Sequence, residues 1–509
     1  MQTNGPLQLF PLVRIAVCMA AGVAVGYVAF CAMGQWVWLG LMAVAVAGAL
    51  AVRSDLWQGA FISLAAFMLG GALISHQLGQ LLKPLPSGDL TYQAVVASQP
   101  QERGKVVRMD LWVVGGPLHG HRLKASLLKD SLCVDARQLT VGDGLVATSQ
   151  WQQPTQFYPS HFNYPLYLRC HGFTATTLIL PGDWQKAVIS LRPLPYLDRT
   201  ILAAKRFREA TLRQYLQLGL DDEEMAVAVA MALGDRSRLT NDLRDIYSIS
   251  GASHVLALSG LHLGIIYMLL SLLVGWRRLG VLRELLIIGG IWAYALFTGL
   301  SPSVVRAAVM ITVFSLAGLI HRRRMSLNAL AFTVIVMLAV NPLSLYDVGF
   351  EMSVMAVLAI LIGYQPVYGL VSSEYLLTHR VVKWVWAMVV VSCCAQLGTA
   401  PLTAYYFGRF SVYFLLSNFI VIPLATVVLY LTAAMLVSAL VPPLLPWVAK
   451  LLAMVVGWQT EAVKWVSGLP GSHIDGIDLN RIQLWMIYVF LAAVAVIFHY
   501  CMPSSRRKN

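Results

Sequence analysis

Charged residues are scarce in this chain of 509 residues, since 12% are Asp, Glu, Lys or Arg and 58% are hydrophobic. Soluble globular domains carry about 25% charged residues, so this composition excludes an ordinary soluble protein. It indicates a membrane protein with many spans. The net charge is +13. Because basic residues gather in the cytoplasmic loops of membrane proteins, this excess says little about a nucleic-acid partner.

Several catalytic and metal-binding patterns are also missing from the sequence. The seven cysteines show no CxxC or other zinc-type spacing, and there is neither an HxHxDH nuclease cluster nor a Walker A motif. The GxSG and GxGD patterns of intramembrane proteases are absent as well. We therefore expect that the chain is not an enzyme, that it has no ATPase of its own and that it binds no metal or cofactor.

One uncharged stretch in the middle of the chain nevertheless carries polar side chains. Residues 254–276 contain no Asp, Glu, Lys or Arg and are numerous enough for one helix to cross a bilayer. On such a helix His254, Ser259 and His262 share a face, and the two histidines lie about 12 Å apart along the axis, too far to chelate one metal. Polar groups are costly in hydrocarbon, so this face is predicted either to line a wet passage or to form interhelical hydrogen bonds.

Apolar runs elsewhere predict a polytopic α-helical membrane protein of about 12 spans. The predicted spans are 12–31, 36–52, 57–75, 254–276, 282–300, 303–320, 326–340, 348–366, 384–405, 412–439, 444–467 and 482–501. In the later group, basic clusters fall in every second loop, as at residues 322–324. The positive-inside rule then places both termini in the cytoplasm and residues 83–249 outside. Arg481 is an exception, because it would lie outside.

Residues 83–190 differ in character from the rest of the chain. Short runs rich in Val, Leu and Thr alternate with turn sequences such as GGP, VGDG and PGD. This pattern predicts a small all-β domain with strands of about five to eight residues. Cys133 and Cys170 are the two cysteines of this domain, and an external compartment is oxidising, so we expect them to form a disulfide. The alternative is two buried thiols.

Residues 191–249 are predicted to form a connector without a spanning segment. Within it, residues 197–219 can form an amphipathic helix that is strongly basic. Its basic residues are Arg199, Lys205, Arg206, Arg208 and Arg213. Such a helix is typical of contact with anionic lipid headgroups, but it can equally steer phosphates. The sequence leaves both interpretations open.

Four stretches of the later part of the chain resemble, in the same order, the motifs of the ComEC-type competence DNA channel family. They are SGASHVLALSGLHLG, TGLSPSVVRAAVM, NPLSLYDVGFEMSVMAVLAI and AQLGTAPLTAYYFGRFSVYFLLSNFIVIPLATVVL. The resemblance implies a bacterial inner-membrane channel that passes single-stranded DNA into the cytoplasm during natural transformation. It also implies that the β domain is an OB-type barrel, which either binds the strand or only shapes the channel mouth.

The resemblance adds further candidate residues in the core. Arg306 either snorkels to water or meets phosphates in a pore. Glu351 stands where the family more often has Gln, and an Arg306–Glu351 pair is the structural alternative. Gln396 and Asn418 lie in later spans that Pro401 and Pro423 are predicted to interrupt. The full set of predicted pore-lining or DNA-contacting residues is His254, Ser259, His262, Arg306, Glu351, Gln396 and Asn418.

The predicted organisation has four parts. Residues 1–82 form an N-terminal three-helix membrane segment, 83–190 the external OB-like domain, 191–249 the helical connector and 250–509 the competence-type channel core. Single-stranded DNA and membrane lipids are the expected direct partners, with a DNA receptor and a cytoplasmic motor beside them. Many family members continue into a metallo-β-lactamase-like domain, whereas this sequence stops soon after its last span. The nuclease is therefore expected to be a separate protein.

Two other classes of function remain open from the sequence. A small-molecule secondary transporter also uses broken helices, although no internal repeat pairs them here. An intramembrane enzyme would use Ser259 and His262, whose spacing brings them together on a helix.

Overall fold

The computed structural model describes residues 10–129, 139–156, 161–216, 222–275, 280–319, 327–438, 441 and 443–501. The chain divides into two compact units. The first unit comprises residues 1–214, 293–300 and 331–347, and the second comprises residues 215–292, 301–330 and 348–509.

Three apolar helices open the first unit. They are α1 (Pro11–Val28), α2 (Gln35–Ala51) and α3 (Asp55–Leu81). Helix α3 packs against both of the others. Glycines permit this close approach, because a Cβ built on Gly71 would lie 2.5 Å from the Trp38 ring and one built on Gly26 would lie 2.6 Å from the Ile74 side chain. Small residues at helix contacts are typical of membrane helices.

The β domain follows as a seven-stranded sheet in the described part of the chain. Its strands are β1 (Asp89–Val96), β2 (Gln101–Arg103), β3 (Val106–Gly115), β4 (Arg122–Leu128), β5 (Gly144–Gln152), β6 (Ala175–Ile179) and β7 (Trp184–Ala187), with helix α4 (Tyr164–Cys170) between β5 and β6. Strand β3 has 10 residues, which is longer than predicted.

Five of these strands close into a barrel. The order is β1–β3–β4–β6–β5, and β5 pairs again with β1. Strands β4 and β6 are parallel, whereas the other pairs of the barrel are antiparallel. The apolar core inside includes Tyr92, Met109 and Leu145. A closed five-stranded barrel fits the predicted OB-like domain.

The basic helix of the connector, α5 (Tyr196–Leu216), packs on this barrel. The Lys205 ammonium donates to the Ala97 carbonyl at 2.8 Å and lies 5.7 Å from the centre of the Trp112 ring. The Arg206 guanidinium donates to the Gly142 carbonyl. The other basic residues also bond within the chain: Arg199 to the Leu194 carbonyl, Arg208 to the Thr298 carbonyl and Arg213 to the Glu209 carboxylate. Neither interpretation from the sequence anticipated this use of the basic side chains.

Thirteen further helices follow in the described residues. They are α6 (Asp222–Leu233), α7 (Asn241–Ile249), α8 (Ser253–Leu256), α9 (Gly260–Leu273), α10 (Gly280–Phe297), α11 (Pro302–Leu319), α12 (Leu327–Val340), α13 (Val348–Tyr368), α14 (Ser373–Thr378), α15 (Arg380–Phe407), α16 (Phe414–Ser438), α17 (Leu445–Ser467) and α18 (Arg481–Cys501). A 3₁₀ helix, Pro342–Tyr346, joins α12 to α13. Two short strands, β8 (Arg409–Ser411) and β9 (His473–Asp475), pair with each other.

Eight helices in the described ranges are long and apolar enough to cross a membrane. They are α1, α3, α10, α11, α13, α15, α16 and most of α18, and three shorter apolar helices are α2, α9 and α12. Each predicted span overlaps one of these helices except 444–467, where α17 carries Lys450, Glu461 and Lys464. The number of 12 spans therefore stays a prediction.

The predicted interruptions at Pro401 and Pro423 are wrong. Helices α15 and α16 continue through these prolines, as α13 does through Pro366. A proline removes one backbone hydrogen bond, and neighbouring packed helices make this tolerable in membrane helices.

Candidate functional site

The uncharged stretch at residues 254–276 is not one helix, which corrects the prediction. Helix α8 ends at Leu256, and α9 begins at Gly260 after an extended backbone at Ala257 and Ser259. His254 and His262 therefore do not share a helix face. His254 lies on α8 with an exposed side chain, and its Nδ1 contacts the Gly251 carbonyl at 3.1 Å.

Ser259 caps the start of α9 together with His262. The Ser259 hydroxyl accepts from the His262 backbone N–H, and His262 Nδ1 in turn accepts from the Ser259 N–H at 3.3 Å. The Ser259 Oγ lies 2.9 Å from the same nitrogen. This is a capping box with His in the place of the usual Glu or Gln. Because Nδ1 is the acceptor, the network assigns the ring proton of neutral His262 to Nε2.

The His262 ring is fully buried, at 0% exposure. Its Nε2 reaches no acceptor with hydrogen-bond geometry among the described residues, although the Val255 backbone is nearby. A buried N–H without an acceptor is costly, and natural proteins keep few of them. His262 thus presents a donor inside an apolar helix bundle.

Arg306 is likewise buried, at 3% exposure, on the second turn of α11. Its guanidinium donates to the Gly349 carbonyl at 2.8 Å and lies 5.9 Å from the centre of the Phe350 ring. A charge at this depth is expensive and marks a functional site by default. The two contacts hold the guanidinium at the start of α13.

Glu351 has a partner that the sequence analysis did not consider. Its carboxylate accepts from the Tyr406 hydroxyl of α15 at 2.9 Å. On the same helix, the Tyr405 hydroxyl receives a hydrogen bond from Arg481 Nε at 3.4 Å. Arg481, the exception to the charge pattern, is therefore bonded to a neighbouring helix.

The remaining predicted residues lie on α15 and α16. Gln396 is half-buried on α15. Asn418 is half-buried on α16, and its buried Oδ1 has no hydrogen-bond partner within the described ranges. The preceding Ser417 hydroxyl donates to the Ser250 carbonyl at 2.6 Å, which ties α16 to the turn before α8.

The structure brings part of the predicted set together. Helix α9 packs against α11 and α16, and α11 packs against α13. A Cβ built on Gly260 would lie 3.7 Å from the Ala307 side chain, so the start of α9 lies beside the residue that follows Arg306. His262, Arg306 and Asn418 thus belong to adjoining helices, and α8, which carries the exposed His254, also contacts α16.

Arg236 is a residue of this site that the sequence analysis missed. Its Nε donates to the Leu256 carbonyl at 3.1 Å, at the end of α8. The last carbonyls of a helix lack partners within the helix, and a basic side chain there also suits the helix dipole. The only signal was the stretch LGDRSRL before the core, which carries no recognisable spacing.

Metal binding and the disulfide are the two remaining expectations. Among the described residues, no group of three or more His, Cys, Asp or Glu side chains is arranged to hold a metal ion. Cys170 is buried, and its thiol donates to the Leu343 carbonyl at 3.2 Å. Cys133 lies outside the described residues, so the disulfide stays a prediction; the structure holds Cys170 as a thiol.

These features define a multi-pass helical membrane protein with a small OB-like barrel domain. A model of the competence protein family matches residues 231–503, which is more than half of the sequence. The chain therefore belongs to the competence protein family, as its motifs predicted.

Curated relatives cover parts of the chain. ComE operon protein 3 of Bacillus subtilis (strain 168) is 28% identical over 285 residues, or 55% of this chain and 34% of that protein. An uncharacterized protein of Aquifex aeolicus (strain VF5) is 32% identical over 202 residues, or 39% of this chain and 45% of that protein. The chain spans less than half the length of either relative. No solved structure matches the chain.

Proposed function

We propose that this chain forms an inner-membrane passage through which one DNA strand enters the cytoplasm during natural transformation. The observation that carries the proposal is the break between α8 and α9, in the region that matches the family. Non-helical backbone at membrane depth is tolerated only where it is buried in protein or lines a water-filled cavity. Here the break places His262 beside the helix that carries Arg306.

The chemistry of these two groups suits a moving polyanion. Arg306 is a permanent cation, and His262 presents an N–H donor; both can contact phosphate oxygens. A few such contacts favour entry, whereas a deep binding site would stall conduction. Both side chains are buried, so passage requires the surrounding helices to separate.

Contacts between loops support the proposed orientation. The 3₁₀ segment after α12 contacts α4 of the β domain, and both are predicted to lie outside. In the second unit, β8 and β9 join two further loops that are predicted to be external. In addition, a Cβ built on Gly251 would lie 3.0 Å from that of Ser411, and both residues belong to predicted external segments. Each contact joins segments assigned to one side by the charge pattern.

The enzyme alternative gains no support from the Ser259–His262 contact. The contact is accounted for by the capping box, and the serine faces its own helix end. The secondary-transporter alternative shares the broken helix but offers no reason for a competence-type core. A DNA receptor, a separate nuclease and a cytoplasmic motor remain proposed partners.

The test is transformation frequency divided by the amount of chain in the membrane. We expect His262→Leu and Arg306→Leu to lower this ratio by about ten-fold or more, the factor that about 1.4 kcal/mol represents, with DNA binding outside the cell retained. His379→Leu is the matched control, because His379 is exposed at the start of α15. Normal ratios in both variants would remove these residues from the mechanism. A loss of uptake that merely follows a loss of protein would identify them as structural contacts.

A further inference from the structure

A hydrogen-bonded network joins three distant parts of the first unit. The Gln77 side chain of α3 donates from Nε2 to Asn341 Oδ1 at 2.8 Å, and its Oε1 accepts from the Leu343 N–H at 3.2 Å. Asn341 Nδ2 donates to the Cys170 carbonyl at 2.8 Å. The Cys170 thiol donates to the Leu343 carbonyl, which closes the network.

In each of the two side-chain amides of this network, both the oxygen and the nitrogen form a hydrogen bond. Gln77 and Asn341 each donate once and accept once within it, so a flip of either amide would place like atoms together. Such a network specifies one arrangement of its parts, because a wrong arrangement leaves buried polar groups unpaired. The network can therefore hold α3, α4 and the segment after α12 in a fixed register.

Apolar and charged contacts surround the network. Val23, Ile74, Leu78, Cys170 and Leu343 form one buried cluster around it. The Tyr27 and Tyr346 rings lie 4.7 Å apart beside this cluster. His171 directly follows Cys170, and its Nε2 lies 3.6 Å from the Asp347 carboxylate. The joint is thus an extended interface rather than a single hydrogen bond.

The position of α4 in the barrel relates this joint to a loop that binds nucleic acid in other OB folds. Helix α4 lies in the connection between the fourth and fifth strands of the barrel, β5 and β6. In OB folds the loop at this place is one of those that contact oligonucleotides. Here the same loop packs on α3 and on the 3₁₀ helix that follows α12.

We propose that Gln77, Asn341 and Cys170 form a joint that fixes the OB-like domain over the membrane helices, with Asn341 as a positioning residue for the delivery of the strand. This role rests on the proposed function. Along the chain, Asp347 at the joint is followed two residues later by Gly349, whose carbonyl accepts from Arg306.

The joint itself is tested without DNA. In the purified full chain, hydrogen–deuterium exchange is measured on peptides that cover residues 342–347. We expect Gln77→Ala and Asn341→Ala to speed exchange there by about five-fold, the factor that the loss of one net hydrogen bond produces. The double variant should add little to the larger single effect, because both residues act in one network. Gln80→Ala, an exposed glutamine on the same helix, is the control. Unchanged exchange, or fully additive effects, would overturn the joint.

Its role in delivery is tested by uptake per membrane-inserted chain. We expect Asn341→Ala to lower transformation while DNA binding outside the cell and protein abundance stay normal. If Asn341→Ala does not accumulate, the milder Gln77→Ala carries the test. Faster exchange with normal uptake would overturn the positioning role while leaving the proposed passage untouched. The passage itself fails only through the His262 and Arg306 variants, so the two failures are distinguishable.

Discussion

Lys205 shows how one side chain makes the docking of α5 sensitive to pH. The ammonium is largely buried between the Ala97 carbonyl and the Trp112 ring, and burial lowers its pKa to about 8. Asp110 acts in the opposite direction but does not compensate. The folded chain therefore releases this proton at a lower pH than the unfolded chain, whose lysine has an ordinary pKa near 10.5.

This difference predicts a rise of stability with pH. Between about pH 8 and 10.5 the unfolded state binds more protons than the folded state, so the free energy of unfolding increases over this window. We expect Lys205→Met to abolish this increment. The measurement is the midpoint of thermal unfolding of the purified chain between pH 7.5 and 10. Lys105→Met, at an exposed position, should keep the increment of the wild type. An equal pH response in both variants would contradict the assignment.

Single residues were predicted better by type than by partner. The sequence identifies Arg306 and His262 as costly groups in a membrane core, and both are buried in the structure. It could not supply the Gly349 carbonyl as the partner of Arg306, or the Tyr406 hydroxyl as the partner of Glu351, because these contacts join residues far apart in the chain. The partners of the basic residues of α5 were unpredictable for the same reason, because a sequence does not show which backbone carbonyls will lie near a side chain.

At the scale of elements, the break before α9 depends on its cap. Ser259→Ala removes the capping hydroxyl and should lower the free energy of unfolding by about 1 kcal/mol. Ser259→Thr keeps a hydroxyl and should retain both stability and uptake. The midpoint of thermal unfolding measures the effect, with Ser253→Ala at an exposed position as the control. A nucleophilic role would instead appear as labelling of Ser259 by a serine-directed probe and as loss of uptake in Ser259→Thr.

Most helices could be predicted from apolar length alone, but this break could not. The motif SGLHLG contains no Glu or Gln three residues after the serine, so the usual capping signal was missing. Conversely, Pro401 and Pro423 were poor signals of interruption, because packing overrides the local cost of a proline. The barrel was predictable as a class from its turns, whereas its closure through β1 and β5 required long-range pairing.

At the scale of the whole molecule, the charge pattern and the loop contacts predict one orientation. A reporter that is active only outside the cytoplasm should be active when fused after Ser253 or inserted at Gly476, and silent when fused after Arg324. The Gly476 site lies just beyond β9, which pairs with another loop assigned to the outside. The opposite pattern, or activity at all three sites, would overturn the proposed topology.

The joint around Asn341 also fixes an order of events during synthesis. Asn341 follows its partner Cys170 by 171 positions. At 5–20 residues per second, this gap corresponds to roughly 10–35 s of translation. All strands of the barrel are synthesised well before the segment after α12, on which the barrel packs. A closed barrel leaves few open strand edges during this interval, which protects the waiting domain from pairing with other nascent chains. We therefore expect closure of the barrel to protect the domain until the later helices have been synthesised.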